Sequence, residues 1–332
     1  MPRESEIISR IKQRARSSDQ VLVGIGDDAA VIKVSAGRDV LACCDLMVEG
    51  VHFQLDRTPP RLLGRKALAI NLSDIAAMGG VPRFAMVSIA LTHQCSSQFI
   101  DEVFEGILGI ADEQGVSLIG GDTSSSRDSL FIDVSVIGEC AAGKAVTRSG
   151  AKPGDIIYVS GSLGASALGL RLLQDGVRIE STAADDLRRQ ALMKHLSPEP
   201  QSRLGRAIGE ATLATAMIDI SDGLSTDSSH ILEESRCGAI IHAGAVPIAE
   251  SVRDLTSGSN EFGALNLALN SGEEYELLFT ATPEWAAQIE ELSRDLSVAI
   301  SAIGEIVEGE GLRLERAGAL EKIAPSGYEH LI

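Results

Sequence analysis

A chain of 332 residues is longer than one ordinary hydrophobic core and predicts two domains, each able to bury its own interior. Its formal charge of −18 excludes a binder of nucleic-acid backbones, which needs a positive surface. The apolar residues form no run near the roughly 20 needed to cross a bilayer, so no membrane span is expected.

The opening MPRESEIISRIKQRAR predicts a helix, with Ile7, Ile8 and Ile11 at helical spacing. Being charged throughout, it lacks the apolar core of a secretory signal, and a cytoplasmic address is expected. After a Gly-Asp turn, VLACCDLMV (Val40 to Val48) predicts a strand, and Thr58-Pro59 predicts the start of a long helix that Gly79-Gly80 and Pro82 stop. A strand RFAMVSIALT, a helix from Ser97 to Gln114, a short strand SLIGG and the β-branched run FIDVSVIGE complete a mixed α/β half. The turn-rich RSGAKPGD, Arg148 to Asp155, predicts the boundary between domains 1–148 and 149–332. Beyond it come the strand IIYVSG and helices near Ala165–Leu173, Asp185–Lys194 and Arg203–Ala214. The strand AMIDI, a helix after Ser225, and strands YELLFT and VAISAIGEIV follow, giving a second α/β half. Five cysteines without a CxxC pair (Cys43, Cys44, Cys95, Cys140, Cys237) predict reduced thiols and no zinc site.

Five segments set aspartate beside glycine, serine or a strand end: GIGDDAA (Asp27, Asp28), CCDLMVEGVHF (Asp45), NLSDIAAMGG (Asp74), GGDTSSS (Asp122) and IDISDG (Asp219, Asp222). Any one alone reads as a turn residue bonding its own backbone. As a set they point elsewhere. Asp45 lies inside an apolar strand, where an unpaired carboxylate is costly to bury. Asn71 and Asp74, three apart, share a face of an otherwise apolar helix. Gly120-Gly121 lets bare backbone approach a phosphate just before Asp122. Scattered single carboxylates suit magnesium, which prefers oxygen ligands and keeps several waters. No G-x-x-x-x-G-K-[ST] occurs, and GIGDDAA fails the dinucleotide pattern at its third glycine, so a P-loop or a Rossmann site is not expected.

In order, GIGDDAA, DLMVEGVHF, ALAINLSDIAAMGG, LIGGDTS, TRSGAKPGD, IDISDGL and SGEEYELLFT resemble the successive motifs of the thiamine-monophosphate kinase family, within the superfamily of aminoimidazole ribonucleotide synthetase and selenophosphate synthetase. The resemblance runs from about Glu4 to the terminal GYEHLI. It implies a two-domain α/β fold of the aminoimidazole ribonucleotide synthetase type, with the N-terminal mixed sheet completed across a homodimer. It also implies ATP-dependent phosphorylation of thiamine monophosphate to thiamine diphosphate, the last step in making that cofactor, with several Mg2+ ions and no covalent nucleophile or general base. By position, Asp28, Asp45, Asp74, Asp122, Asp219 and Asp222 correspond to metal ligands, and Gly121, Asp122, Arg148 and Ser221 to ATP contacts. His52, Glu273 and Tyr328 correspond to contacts with the thiamine substrate. The chain departs from the pattern at Cys43 and Cys44, where the family has Ser or Thr, at Ser271 in place of glycine, and at Glu274 in place of aspartate. A synthetase of selenophosphate would carry a reactive cysteine near Gly24 to Asp28, and none is there.

Overall fold

The computed structural model describes residues 4–256 and 261–327, and the chain divides into two compact units: Met1–Ile75 with Gly80–Gly143, and Ala76–Gly79 with Lys144–Ile332. Among the described residues no helix is long and apolar enough to cross a membrane.

In the first unit, α1 (Glu4–Arg14) precedes a small hairpin of β1 (Val21–Val23) and β2 (Val31–Ile32). The body is β3 (Arg38–Val48), α2 (Pro60–Ala77), β4 (Val81–Leu91), α3 (Ser97–Gln114), β5 (Ser117–Ser125) and β6 (Phe131–Ala141). The four long strands form a mixed sheet in the order β3-β6-β4-β5, antiparallel except for β4 against β5. Helix α2 begins at Pro60, one residue later than the Thr58-Pro59 signal suggests. It closes on Gly79, whose left-handed φ of 70° lets the Gly80 N–H reach the Ile75 carbonyl. Ser96 caps α3 by accepting from the Phe99 N–H at 3.1 Å, and Gly115 ends it. The apolar stripe Ile100, Val103, Phe104, Ile107 and Ile110 is buried.

The crossing of α2 and α3 is backbone against backbone. A Cβ on Gly64 would run into the Val103 carbonyl, and one on Gly106 into the Arg61 carbonyl. Two glycines, one on each helix, therefore set the distance between them.

Strand alternation sorts β3 between two environments. Cys43 and Asp45 face α2, whereas Cys44 is exposed beside Val40 and Leu46, which are 52% and 51% exposed. The strand after α3 outruns its expected end at Gly121. A bulge between Ala85 and Met86 shifts the register with β5, and pairing continues through Asp122 opposite Ser88 to Ser125.

The second unit contains β7 (Ile156–Ser160), α4 (Ala165–Gln174), α5 (Leu187–Leu196), α6 (Ser202–Ala211), β8 (Ala216–Asp219), α7 (Leu224–Ser235) and β9 (Gly238–His242). It continues with α8 (Glu250–Leu255), α9 (Glu261–Asn270), β10 (Leu277–Ala281), α10 (Ala286–Leu296), β11 (Ile300–Val307), β12 (Gly311–Arg316) and β13 (Ala319–Ile323). The seven strands lie in the order β13-β12-β9-β11-β7-β10-β8, antiparallel except for β12 against β9. Both faces are covered. Ile157, Val159, Ile218 and Leu278 pack with Leu224 and Ile231 of α7, while Tyr158, Met217, Leu277 and Phe279 pack with Leu204 and Ile208 of α6 and Ile289 of α10. This double burial is why AMID and LLFTA read as unbroken apolar runs.

Candidate active site

In the first unit, the inward face of β3 meets the polar face of α2. The Cys43 thiol lies 3.3 Å from the Asn71 carbonyl and 3.8 Å from its Oδ1, and Asn71 Nδ2 donates back to the Ala67 carbonyl at 3.1 Å. Asp74 hydrogen-bonds the same thiol. Burial, then Asp74 and Asp45, push the Cys43 thiol far up, so it stays protonated. Asp45 is half-buried, and its carboxyl is raised by burial and then by Asp133. The structure thus brings Asp45, Asp74, Asn71 and Cys43 into one cluster.

The other first-unit candidates stand in more open places. Asp28 is exposed, its backbone N–H donating to Asp27 Oδ1 at 2.9 Å in a local turn. Asp122 is exposed on β5. Beside it Gly121 has φ of 147°, and a Cβ there would strike the Val87 carbonyl, so the position accepts glycine alone. His52 sits in the turn after β3, where its Nδ1 accepts from the Val48 N–H at 3.0 Å, leaving the ring proton on Nε2.

In the second unit, β8 ends on buried Asp219 and the chain turns through Ser221 and Asp222 into α7. Asp227, buried on the first turn of α7, folds back so that its Oδ2 accepts from the N–H groups of Asp222 (3.1 Å) and Gly223 (3.0 Å). It thereby satisfies donors at the helix start that have no intrahelical partner. Burial, then Asp219 and Asp222, push the Asp227 carboxyl up to about 8. Ligand atoms of Asp222, Asp227 and His230 all lie within 4.8 Å of one another. Arg148 is exposed in the segment beside β8: Met217 N–H donates to the Thr147 carbonyl at 3.0 Å, and Ser235 Oγ to the Arg148 carbonyl at 3.1 Å.

Glu273 belongs to a loop stitched to the aspartate turn. Its N–H donates to the Ser221 carbonyl at 2.7 Å, the Tyr275 N–H to the Ile220 carbonyl at 2.8 Å, and the Ile220 N–H to the Glu276 carbonyl at 2.8 Å. Asp219, Ser221, Asp222 and Glu273 are therefore one hydrogen-bonded unit. Tyr328 lies outside the described residues.

Like-charged carboxylates that raise one another's pKa mark a local shortage of positive charge, and oxygen donors in such places fit a hard divalent cation. Cys43 is the exception, since a protonated thiol is a poor ligand for such an ion.

Comparison with known proteins settles the ancestry. The models for the AIR synthase related protein match at residues 26–140 for its N-terminal domain and 152–316 for its C-terminal domain. The thiamine-monophosphate kinase of Bacillus subtilis is 37% identical over 305 residues, covering 92% of this chain and 91% of that protein. The chain belongs to the thiamine-monophosphate kinase family. A crystal structure of thiamine-monophosphate kinase from Stenotrophomonas maltophilia superposes with a TM-score of 0.86 at 33% identity, covering 95% of this chain and 98% of that one. AaThiL complexed with AMPPCP and TMP superposes at 0.78 with 29% identity, covering 100% and 99%. The two-domain α/β fold expected of the family is the one observed.

Several polar residues of this family member escaped the sequence reading. Asp227 and His230 sit inside α7, one and two turns from the SDG motif; the helical repeat after Asp222 was the signal that could have found them. Lys194, His195 and Glu276 join Glu274, noted in the sequence only as a departure from the family motif, in a largely buried network around the Glu273 loop, and the acidic residues abutting the apolar run LLFTA were its trace.

Proposed function

We propose that the chain transfers the γ-phosphoryl group of ATP to thiamine monophosphate, forming thiamine diphosphate and ADP. The observation that carries this reading is the presence of two carboxylate groups short of positive charge, Asp45 raised by burial and Asp133 with Asp74 beside it on the Cys43 thiol in the first unit, and Asp227 raised by burial, Asp219 and Asp222 in the second, in a chain whose relatives are thiamine-monophosphate kinases. AaThiL, similar along its whole length, holds AMPPCP and TMP together.

In this reading magnesium is held by Asp28, Asp45, Asp74 and Asp122 of domain 1–148 and by Asp219 and Asp222 of domain 149–332. When bound, the ions neutralise and align the phosphate groups of donor and acceptor. The chain's own part is placement. Gly121 offers bare backbone to the nucleotide phosphates, with Asp122, Arg148 and Ser221 as further contacts. His52 presents an Nε2 donor, and together with Glu273 and Tyr328 it takes the thiamine monophosphate. The acceptor is a phosphate monoester with a second pKa of about 6, so its attacking oxygen is ionised at neutral pH and needs no general base. Transfer is direct and in line, without a phosphoenzyme.

The exposed outer face of β3, with Val40, Cys44 and Leu46, is the place where a second copy of the chain completes the sheet of a homodimer. Two measurements test these proposals. Incubation with Mg2+, ATP and thiamine monophosphate must yield thiamine diphosphate and ADP, and absence of product removes the kinase assignment. Sedimentation must give twice the mass of one chain, and a monomer removes the dimer.

A further inference from the structure

The last turn of helix α5 carries two adjacent residues, Lys194 and His195, that both reach the Glu273 loop. Lys194, on a side chain largely withdrawn from solvent, pairs with Glu276 Oε1, and Glu276 Oε2 accepts from Ser160 Oγ at 2.6 Å. Ser160 Oγ in turn accepts from the Leu277 N–H at 2.8 Å, which fixes the point where the loop becomes β10. His195, 5% exposed, places Nδ1 3.2 Å from Glu273 Oε2 and 3.2 Å from Ser166 Oγ. Between these two grips Glu274 is wholly buried. Its Oε1 accepts from the Gly164 N–H (2.8 Å) and Ser166 N–H (3.1 Å) at the start of α4, while its Oε2 has no hydrogen-bond partner among the described residues.

The gripped segment is strained. Glu273 and Tyr275 are non-glycine residues with φ of 61° and 50°, a left-handed conformation that side chains disfavour and that persists only where the surroundings over-determine it. Two helices supply that constraint. By holding Oε2 of Glu273, His195 also sets the direction of Oε1, and a carboxylate so aimed suits the cationic thiazolium or the amino group of thiamine better than an anionic phosphate.

We infer that Lys194 and His195 form a clamp that aims Glu273, so that this pair sets affinity for the organic half of the acceptor rather than the phosphoryl transfer itself. Both are positioning residues that act through the loop. The inference rests on thiamine monophosphate being the acceptor.

The test uses full-length His195→Ala, His195→Asn, whose amide nitrogen can replace Nδ1, and Lys194→Arg. In steady-state assays His195→Ala should raise KM for thiamine monophosphate about 10-fold, with kcat and KM for ATP within about threefold of wild type. His195→Asn should recover most of that loss, and Lys194→Arg should fall between the two. Hydrogen exchange of the Glu273 and Tyr275 amides, read without ligand, should speed up about 10-fold in His195→Ala. An unchanged KM with unchanged exchange overturns the clamp. So does a fall in kcat with equal rises in both KM values, which marks general damage. If wild type is inert toward thiamine monophosphate, the acceptor assignment fails by itself; exchange then decides whether the loop is clamped, and unchanged exchange overturns that too.

Discussion

Two groups of buried acids in this chain are built in opposite ways. Around the Glu273 loop the carboxylates come with their own cation: Lys194 pairs with Glu276, and its charge works against the rise of the Glu274 pKa. Around Asp45 the largest influences are burial and another acid, Asp133, and around Asp227 they are burial, Asp219 and Asp222. The first arrangement carries its own positive charge as it folds, and Glu274 and Glu276 serve architecture. The second is electrostatically unfinished, and its acids await a ligand.

Swapping charges tests that contrast most severely. Asp45→Asn should cut turnover by at least ~1000-fold, as loss of a group that stabilises charge at the reacting phosphates does. Thermal melting of the metal-free variant should equal or exceed wild type, because a source of repulsion has gone; a large drop in melting temperature would place Asp45 in the architectural class. Lys194→Met should do the reverse in kind, destabilising the fold by about 3 kcal/mol in urea titrations because Glu276 is left buried without its partner. Magnesium sharpens the comparison. Above its dissociation constant, each tenfold increase in Mg2+ should stabilise wild type by about 1.4 kcal/mol for every ion held. Asp222→Asn should blunt that response, and Lys194→Met should keep it.

The last expected effect is one of pH. The Glu274 carboxyl is raised from 4.5 to about 7, chiefly by burial, against the opposing pull of Lys194 and the N–H groups of Ser166 and Gly164. The folded state then holds this proton more tightly than the unfolded chain. Its contribution to stability is therefore greatest below about 4.5 and declines as pH rises to about 7, after which it is flat. Glu274→Gln should remove that slope from a plot of unfolding free energy against pH, and an unaltered slope would show that Glu274 is ionised throughout.

What could be read from the chain beforehand was the part with local grammar. Asn71 and Asp74 share a helix face because three residues make most of a turn, and the burial of Asp45 follows from its apolar strand. The length of β5 was not legible: Gly120-Gly121 looks like a stop, whereas a bulge against β4 carries the strand past it to Ser125. The hairpin of β12 and β13 was missed as well, since LRLER and ALEKI are strongly charged segments, and β12 takes its place between β13 and β9, a strand some seventy residues earlier in the chain. Lys194 and His195 could not be tied to Glu273 from sequence at all. Nearly eighty residues separate them, and only the folded chain shows that the last turn of α5 reaches that loop.

The reciprocal glycines of α2 and α3 give the first unit an unexpected weak point. Asp74 lies ten residues beyond Gly64 on the same rigid rod, about 15 Å along its axis. A methyl group at Gly64 or Gly106 would push the rods apart and tilt that carboxylate away from Asp45, while every ligand stayed chemically intact. Genetic lesions at this remote contact should therefore masquerade as cation-binding defects, and excess magnesium, rather than a repaired ligand, is what would rescue them.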